Sequence, residues 1–391
     1  MIALIAMLLA QAAPARVLTL EEAQRAAQER QPQLRAARAS TQAAEGRVEQ
    51  SRAPLLPQLS ATAGYERATT NYLFRPGAII RPGPLDASWS SINYFSSSVT
   101  LSQLLWDFGQ TSDRWRSTQA SARSTAEQER AAGLQILLQV RTTFFNAVAY
   151  RQLLSVARET LANQRNHLAQ IEGFVHAGTR PPIDLSQAQA DFANAEVQVI
   201  NADNAYQRSK VLLNQTMGVE GPIDYEVAKD GLPRQAGEDG ELEPLLQNAL
   251  AARPEIASAA EQVKAQQLLS KAARGSYLPS IAAGAGVIQG TATGTNYVGW
   301  DVAAGVTLTW NLFQGGLTNG MVHEAEGNLG FPAAQLDVQR QQIRVDVDQA
   351  LLAIRAAKAA LSAASAAAQV VQTDFQLATA RAQLLWALGQ G

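Results

Sequence analysis

From Trp300 to Leu312 every second residue is apolar or small. Trp300, Val302, Ala304, Val306, Leu308, Trp310 and Leu312 fall on one side of an extended chain, with Asp301, Ala303, Gly305, Thr307, Thr309 and Asn311 on the other. A period of two belongs to a strand with one oily face and one small or polar face. Elsewhere the period changes. From Thr19, which forms a capping box with Glu22, apolar positions recur at spacings of three and four and predict a helix from about Leu20 to about Ser51, ahead of Pro54. LLPQLSATAGY, punctuated by Pro57, then reads as a strand over 57–68, and SSVTLSQLLWDFG as a second over 97–108, ended by Gly109.

Beyond Gly109 the helical spacing resumes and runs without proline past His167 to about His176. That is one helix of about 100 Å at ~1.5 Å per residue, longer than a globular core can cover. GTRPPID reverses the chain, Asp184 with Gln187 reads as another N-cap pair, and a return helix runs to about Gly218. The result is a long antiparallel hairpin over 110–217, followed by a linker over 218–241 rich in Gly, Pro and acid.

Then the pattern restarts. Leu20, Pro32, Arg52, Pro57, Ala61, Ala63 and Gly64 recur at one constant offset as Leu242, Pro254, Arg274, Pro279, Ala283, Ala285 and Gly286. Val99, Thr100, Leu101, Leu105 and Gly109 recur at a shorter offset as Val306, Thr307, Leu308, Leu312 and Gly316, so the loop between the strands is longer in the first half. The chain is a duplication: residues 16–241 form the first structural repeat and residues 242–391 the second, with strands over 279–290 and 298–313. Pro57, Pro279, Gly109 and Gly316 mark the turns between helix and strand. A long helix recurs from about Thr318, with Val347 in the place of Val140 and Leu361 in that of Leu154. No counterpart of the return helix is expected before Gly391, so the second repeat is read as one unpartnered, truncated helix.

The strands carry the architecture. Trp300 and Trp310 lie ~33 Å apart along an extended chain, or roughly 23–27 Å along a membrane normal at ordinary barrel tilt, which matches the apolar band between aromatic girdles. A sheet packed on a helix layer in a soluble protein shows the same alternation, so this strand alone leaves both readings open. Counting narrows the choice. Four strands in two hairpins leave open edges, and a membrane barrel needs at least ~8 in a closed ring. Either the sheet is soluble or several chains share one barrel, and helices continuing past Gly109 and Gly316 would prolong a shared barrel into a shared helical tube.

Composition excludes more than it identifies. The 391 residues hold 32 basic and 34 acidic side chains, a net charge of -2, which gives no field to attract nucleic acid. Without cysteine there are no disulfides, thiolate metal sites, cysteine nucleophiles or cysteine-linked lipids. Residues 1–15 have an apolar run too short to span a bilayer and end in Ala13-Pro14-Ala15, as a secretory signal peptide does; the missing basic n-region leaves a buried apolar start as the alternative. No later run of apolar residues reaches the length of a membrane helix, so membrane entry, if any, is by strands. His167, His176 and His323 lack the spacing a metal needs, GAGVIQG from Gly284 lacks that of a dinucleotide loop, and no nucleophile and base stand together: no enzyme, metal or cofactor is expected. Asp107, near a strand end, reads as either a pore-lining or a solvated charge.

In this order of elements, with LPQLSATAG and LPSIAAGAG at strand entry, LLWDFGQ and WNLFQGG at strand exit and HAGTRPPIDLSQAQADFANA at the hairpin tip, the chain resembles the TolC-like outer-membrane efflux family over about Leu18 to Ala380. The resemblance implies a mainly α fold with a small β part. Each chain of a homotrimer gives four strands to a twelve-stranded transmembrane barrel, continued by a long α-helical tunnel in the periplasm of a Gram-negative bacterium. It implies a passive outer-membrane duct for tripartite efflux or type I secretion, served by a periplasmic adaptor and an inner-membrane transporter of RND, ABC or similar type, embedded in lipid and indifferent to nucleic acid. It also implies adaptor docking at His176, Ala177, Gly178, Thr179, Arg180 and Asp184, although Gly178 as a helix C-cap and Asp184 as an N-cap serve any helical hairpin. A reading of another class is a periplasmic coiled-coil scaffold with no channel.

Overall fold

The computed structural model describes residues 16–69, 91–229, 231–235, 237–292 and 298–390. The segment read as a signal peptide, residues 1–15, lies outside them, as does most of the longer first-repeat loop. In chain order the elements are β1 (Arg16–Leu18), α1 (Leu20–Arg30), α2 (Pro32–Arg52), a 3-10 turn (Ala53–Leu55), β2 (Gln58–Thr69), β3 (Ser91–Trp106), α3 (Gln110–His176) and α4 (Pro182–Met217). β4 (Tyr225–Val227) lies in the linker, and the second repeat follows with α5 (Leu242–Ala252), α6 (Pro254–Gly275), β5 (Ser280–Ala292), β6 (Val298–Thr309), α7 (Leu317–Ala363) and α8 (Ala367–Ala387). They divide into two units, one from Thr41–Thr125 and Ala259–Leu336, the other from the described residues of Met1–Ser40, Ala126–Ser258 and Asp337–Gly391.

The first of these is the strand unit. Its sheet is antiparallel throughout, in the order β2-β3-β5-β6. Each repeat contributes a hairpin, and the pairing of β3 with β5 joins them, Val99 opposite Val287 and Leu101 opposite Ala285. β3 begins earlier than the predicted residue 97, and β6 stops at Thr309 instead of 313. There Trp310 donates its indole N–H to the Tyr277 carbonyl at 3.1 Å and leaves the ladder.

The helical unit holds two cores. In one, Val140, Phe144 and Val148 of α3 meet Tyr206, Leu213 and Met217 of α4, with Ala23 and Ala27 of α1 and Val227 of β4. The parallel pair of β1 with β4, Leu18 opposite Val227, ties the start of the first repeat to the linker. The predicted first helix is two helices. Gln31, held extended at φ -61, ψ 119, separates α1 from α2 because the ring of Pro32 crowds the helical conformation of the residue before it. Arg253 before Pro254 separates α5 from α6 in the same way.

The expectation of an unpartnered second helix does not hold. After Ala363 the chain reverses through Ala364, Ser365 and Ala366, and α8 packs back so that Leu377, Leu384 and Ala387 share the second core with Ile343, Val347, Leu351 and Ile354 of α7. No Gly or Pro marks the reversal, and Ala366 at the N-cap has no side chain to cap with, so tertiary packing overrides local propensity here. The two return helices also end alike. Gly218 at φ +67 closes α4 with an N–H bond from Val219 to the Asn214 carbonyl, and Gly389 at φ +71 closes α8 with one from Gln390 to Leu385. Each abuts the equivalent junction of its own repeat: a Cβ on Gly218 would stand 2.8 Å from the Gln31 Cα, and one on Gly389 3.2 Å from the Arg253 nitrogen.

The junctions use different chemistry for the same docking. Gln31 donates its side-chain N–H to the Thr216 carbonyl at 2.9 Å, satisfying the open end of α4. Arg253, 4% exposed, lies over the Trp386 ring at 4.2 Å and pairs with Asp346 at 2.7 Å and Glu255 at 2.8 Å.

The linker is anchored by Glu238, which is 1% exposed and bonded by Arg381 at 3.0 Å and Lys358 at 2.8 Å. Burial pushes its carboxyl pKa up, but hydrogen bonds from Arg381, Lys358 and the Gln235 N–H outweigh this and hold it down to about 2. A folded-state value below the ordinary 4.5 means stabilisation that is complete above pH 4.5 and lost as pH falls towards 2. Glu238→Gln is expected to cost about 3 kcal/mol at neutral pH. Urea melts should show that difference at pH 7 and a narrowing gap from pH 4.5 downward.

Candidate functional site

The sheet register sorts its side chains onto two faces. On one, Leu59, Tyr65, Phe95, Val99, Leu101, Val287, Val302, Val306 and Leu308 are all exposed, with Trp300 at 73%. So much exposed apolar area on one side of a sheet marks a surface meant to be covered. The other face is small and hydroxylated: Ser60 bonds Thr100 at 2.7 Å, Thr62 bonds Ser98 at 2.7 Å, and Gly284, Gly286 and Gly305 lie in the same rows.

Aromatic residues gather at both ends of the oily face. Tyr65 opposes Phe95 with ring centroids 5.0 Å apart, at the same end as Trp300. At the helix end Trp106 opposes Ile281, itself opposite Leu308, and stacks edge-on with Phe108 at 6.0 Å; Trp310 follows just past the strand. Tyr65, Phe95 and Trp106 were legible in the alternation of β2 and β3, but sequence reasoning singled out Trp300 and Trp310 alone.

The strand-to-helix turn is built twice. Phe108 at φ 54 and Gly109 at φ 90 correspond to Gly315 at φ 60 and Gly316 at φ 87. The following N–H bonds also match, Gln110 to the Asp107 carbonyl and Leu317 to that of Gln314, each 3.2 Å. Asp107 is neither pore-lining nor solvated: its buried carboxylate accepts the Thr111 N–H at 2.7 Å and caps α3. Pro57 and Pro279 stand immediately before β2 and β5, where a missing N–H costs no ladder bond.

The far end of α3 turns through a glycine cap. Gly178 at φ +71 donates to the Val175 carbonyl, and Thr179 donates backbone and hydroxyl bonds to Phe174, at 3.0 and 2.9 Å. His176 Nδ1 lies 2.9 Å from the Glu172 carbonyl, and Arg180 faces Asp184 at 3.4 Å. Asp184 is not the N-cap: α4 starts at Pro182, with Pro181 in the cap position and Asp184 in the first turn. Pro182 is preset for a helix start because its absent N–H has no partner to lose, and the Asp184 charge there complements the helix dipole.

The family model described as outer membrane efflux protein matches residues 23–219 and 245–384. The chain belongs to the outer membrane efflux protein family. Among curated proteins, Protein CyaE of Bordetella pertussis is 27% identical over 263 residues, covering 66% of this chain and 53% of the relative. Outer membrane protein TolC of Escherichia coli K12 is 23% identical over 356 residues, covering 83% and 66%. The chain thus spans between half and two thirds of the length of these curated relatives. A solved structure described by its transmembrane channel formation, CusC, aligns with a TM-score of 0.75 at 18% identity, covering 95% of this chain and 92% of that one. The outer-membrane channel OprN aligns at 0.76 and 14% identity, covering 95% and 90%. This efflux-family chain has the mainly helical fold of those channels, with four strands in one sheet.

The doubled turn gives a test of its own. Gly109→Ala and Gly316→Ala each place a Cβ in left-handed backbone and are expected to cost about 1–2 kcal/mol, the two effects adding when combined. Thermal melts of the single and double variants check this.

Proposed function

We propose that the protein is the outer-membrane exit duct of a tripartite efflux or type I secretion assembly. Three copies would close their sheets into one twelve-stranded barrel, with the helical part continuing into the periplasm. The observation that carries this is the sheet itself: one apolar face with aromatic rows at both ends, one hydroxylated face and, among the described residues, two edge strands, β2 and β6. In lipid the only exit for such edges is a neighbouring strand, and the only copies with matching edges are further copies of the chain. Trp300 and Trp310 then sit in the two interfacial girdles, the hydroxyl ladders line the lumen, and Pro57, Pro279, Gly109 and Gly316 make the turns at the barrel base. Among the described residues no helix is long and apolar enough to cross a membrane, so the strands are the membrane element of this reading.

The helical unit supports the same closure. α3 packs on α4 through the first core and on α8 through Phe375 and Ala378, and α8 packs on α7 through the second core. Apolar residues remain exposed on both outer helices at multiples of seven: Ile183, Val197 and Val211 on α4, and Val338, Val345 and Leu352 on α7. A seven-residue repeat is the seam of a helix that expects a neighbour. In a ring of copies, α7 of one meets α4 of the next.

The tip residues His176, Ala177, Gly178, Thr179, Arg180 and Asp184 dock a periplasmic adaptor in this reading, which couples the duct to an inner-membrane transporter that supplies the energy. Transport through such a duct requires no catalytic residue, metal or cofactor.

Val306→Arg puts a charge on the lipid face and is expected to cost about 2–4 kcal/mol of barrel stability. Outer-membrane fractions should hold heat-labile trimers of the native chain and far fewer of the variant. Recovery of the native chain wholly in the soluble fraction, or variant trimers in undiminished yield, would sink the duct in favour of a scaffold.

A further inference from the structure

The two helical hairpins of the chain are anchored alike and reach unequally. At their anchored ends Gly218 and Gly389 dock on the equivalent residues Gln31 and Arg253. From there α4 runs 36 residues and α8 only 21, a difference of about 22 Å at ~1.5 Å per residue. The outgoing helices agree. α7 ends at Ala363, just past Leu361, the equivalent of Leu154, whereas α3 continues to His176. Past Arg158, which lines a cleft with Val371 of α8, the α3–α4 hairpin extends beyond the length of α7 and α8, and there only Ile171, Ala188 and Ala195 are buried apolar residues while Phe174, Ile183, Val197 and Ile200 stand exposed.

We infer that the periplasmic mouth of the duct has no closed state and that the protein conducts constitutively. The inference rests on the trimeric duct proposed above. Where both hairpins are present, the three copies supply twelve helices to the ring; below the α7–α8 turn they supply six. Packed helices lie 8–10 Å axis to axis, so each missing hairpin leaves a gap of about 20 Å, wider than facing side chains can bridge. Nor does the lone hairpin have a joint at which to fold inward. α3 carries no proline from Gln110 to His176 and is regular throughout, and sharp helix kinks arise at proline or at interruptions of the hydrogen-bond ladder.

The chemistry of the mouth bears on what passes. Glu172, His176, Arg180 and Asp184 mix signs at the tip, with Arg180 paired to Asp184, so no single-sign ring forms there to repel ions of one charge. Leakage is therefore expected for hydrophilic solutes of either sign, bulky ones included.

Purified trimers in planar bilayers test this. The native protein should give stable, large conductance steps with no resting closed level. A variant in which residues 364–366 are replaced by a copy of residues 157–195 gives the second hairpin the reach of the first, and its conductance should fall severalfold. In parallel, expression of the native chain should sensitise cells to a bulky hydrophilic antibiotic excluded by the intact outer membrane. A native channel that rests closed, or unchanged antibiotic resistance despite trimers in the outer membrane, overturns the open mouth and leaves the duct standing. Absence of trimers and of any conductance step removes the duct, and this inference with it.

Discussion

A backbone N–H or C=O left unpaired in hydrocarbon costs several kcal/mol, and a strand edge presents a whole row of them. The four-stranded sheet has two edge strands, β2 and β6, and in the proposed trimer it is their pairing that closes the barrel. The internal duplication halves the problem by pairing β3 with β5, so that two hairpins share one sheet with two edges in place of four. In the proposed trimer, what remains is solved between copies. The same logic recurs in the helical unit, where α3 and α8 are flanked on both sides and α4 and α7 keep one apolar seam each.

The faces of the sheet follow from the same constraint. In the proposed barrel, a wall between lipid and water needs large apolar side chains outward and small ones inward, where three copies would leave a lumen. The glycines and hydroxyls of the inner rows meet that need while still pairing across strands, as Ser60 with Thr100 and Thr62 with Ser98 do. In that reading one sequence pattern of period two sets both the membrane face and the bore.

Much of this was legible in the sequence because it is local or repeated. The capping box at Thr19 and Glu22 forms as read, and the strands fall behind Pro57 and Pro279 because proline punctuates without ambiguity. The turns at Gly109 and Gly316 were recognisable as copies. What escaped was non-local. β1 and β4 are three residues each and exist only because they pair across the first repeat, and no period can emerge from three residues. The cap at Asp107 looked like a free charge because its partner is the backbone of Thr111 and not another side chain. Asp184 was misassigned because Pro181 and Pro182 start the helix earlier through backbone geometry alone. The α7–α8 reversal is the clearest case: Ala364, Ser365 and Ala366 are compatible with helix, and only the packing of Leu377 and Leu384 on Val347 and Ile354 reveals the turn.

That reversal shows how the two repeats have separated in role. Docking of the return helix is kept in both, but Gln31 does it with a neutral hydrogen bond to the end of α4, and Arg253 with a buried guanidinium held by two carboxylates and a tryptophan face. A buried ion pair is weakly stabilising in net terms and strongly geometric, because its desolvation is offset only when every partner is in place. The longer α3–α4 hairpin gains its register from extended helix–helix contact over many turns. The shorter one has fewer turns to align, and the Arg253 cluster, with Glu238 gripped by Arg381 and Lys358 from both of its arms, supplies fixed points in their stead. Shortening the second hairpin and stiffening its anchored end are thus two sides of one arrangement, in which reach is left to the first repeat and the second holds position.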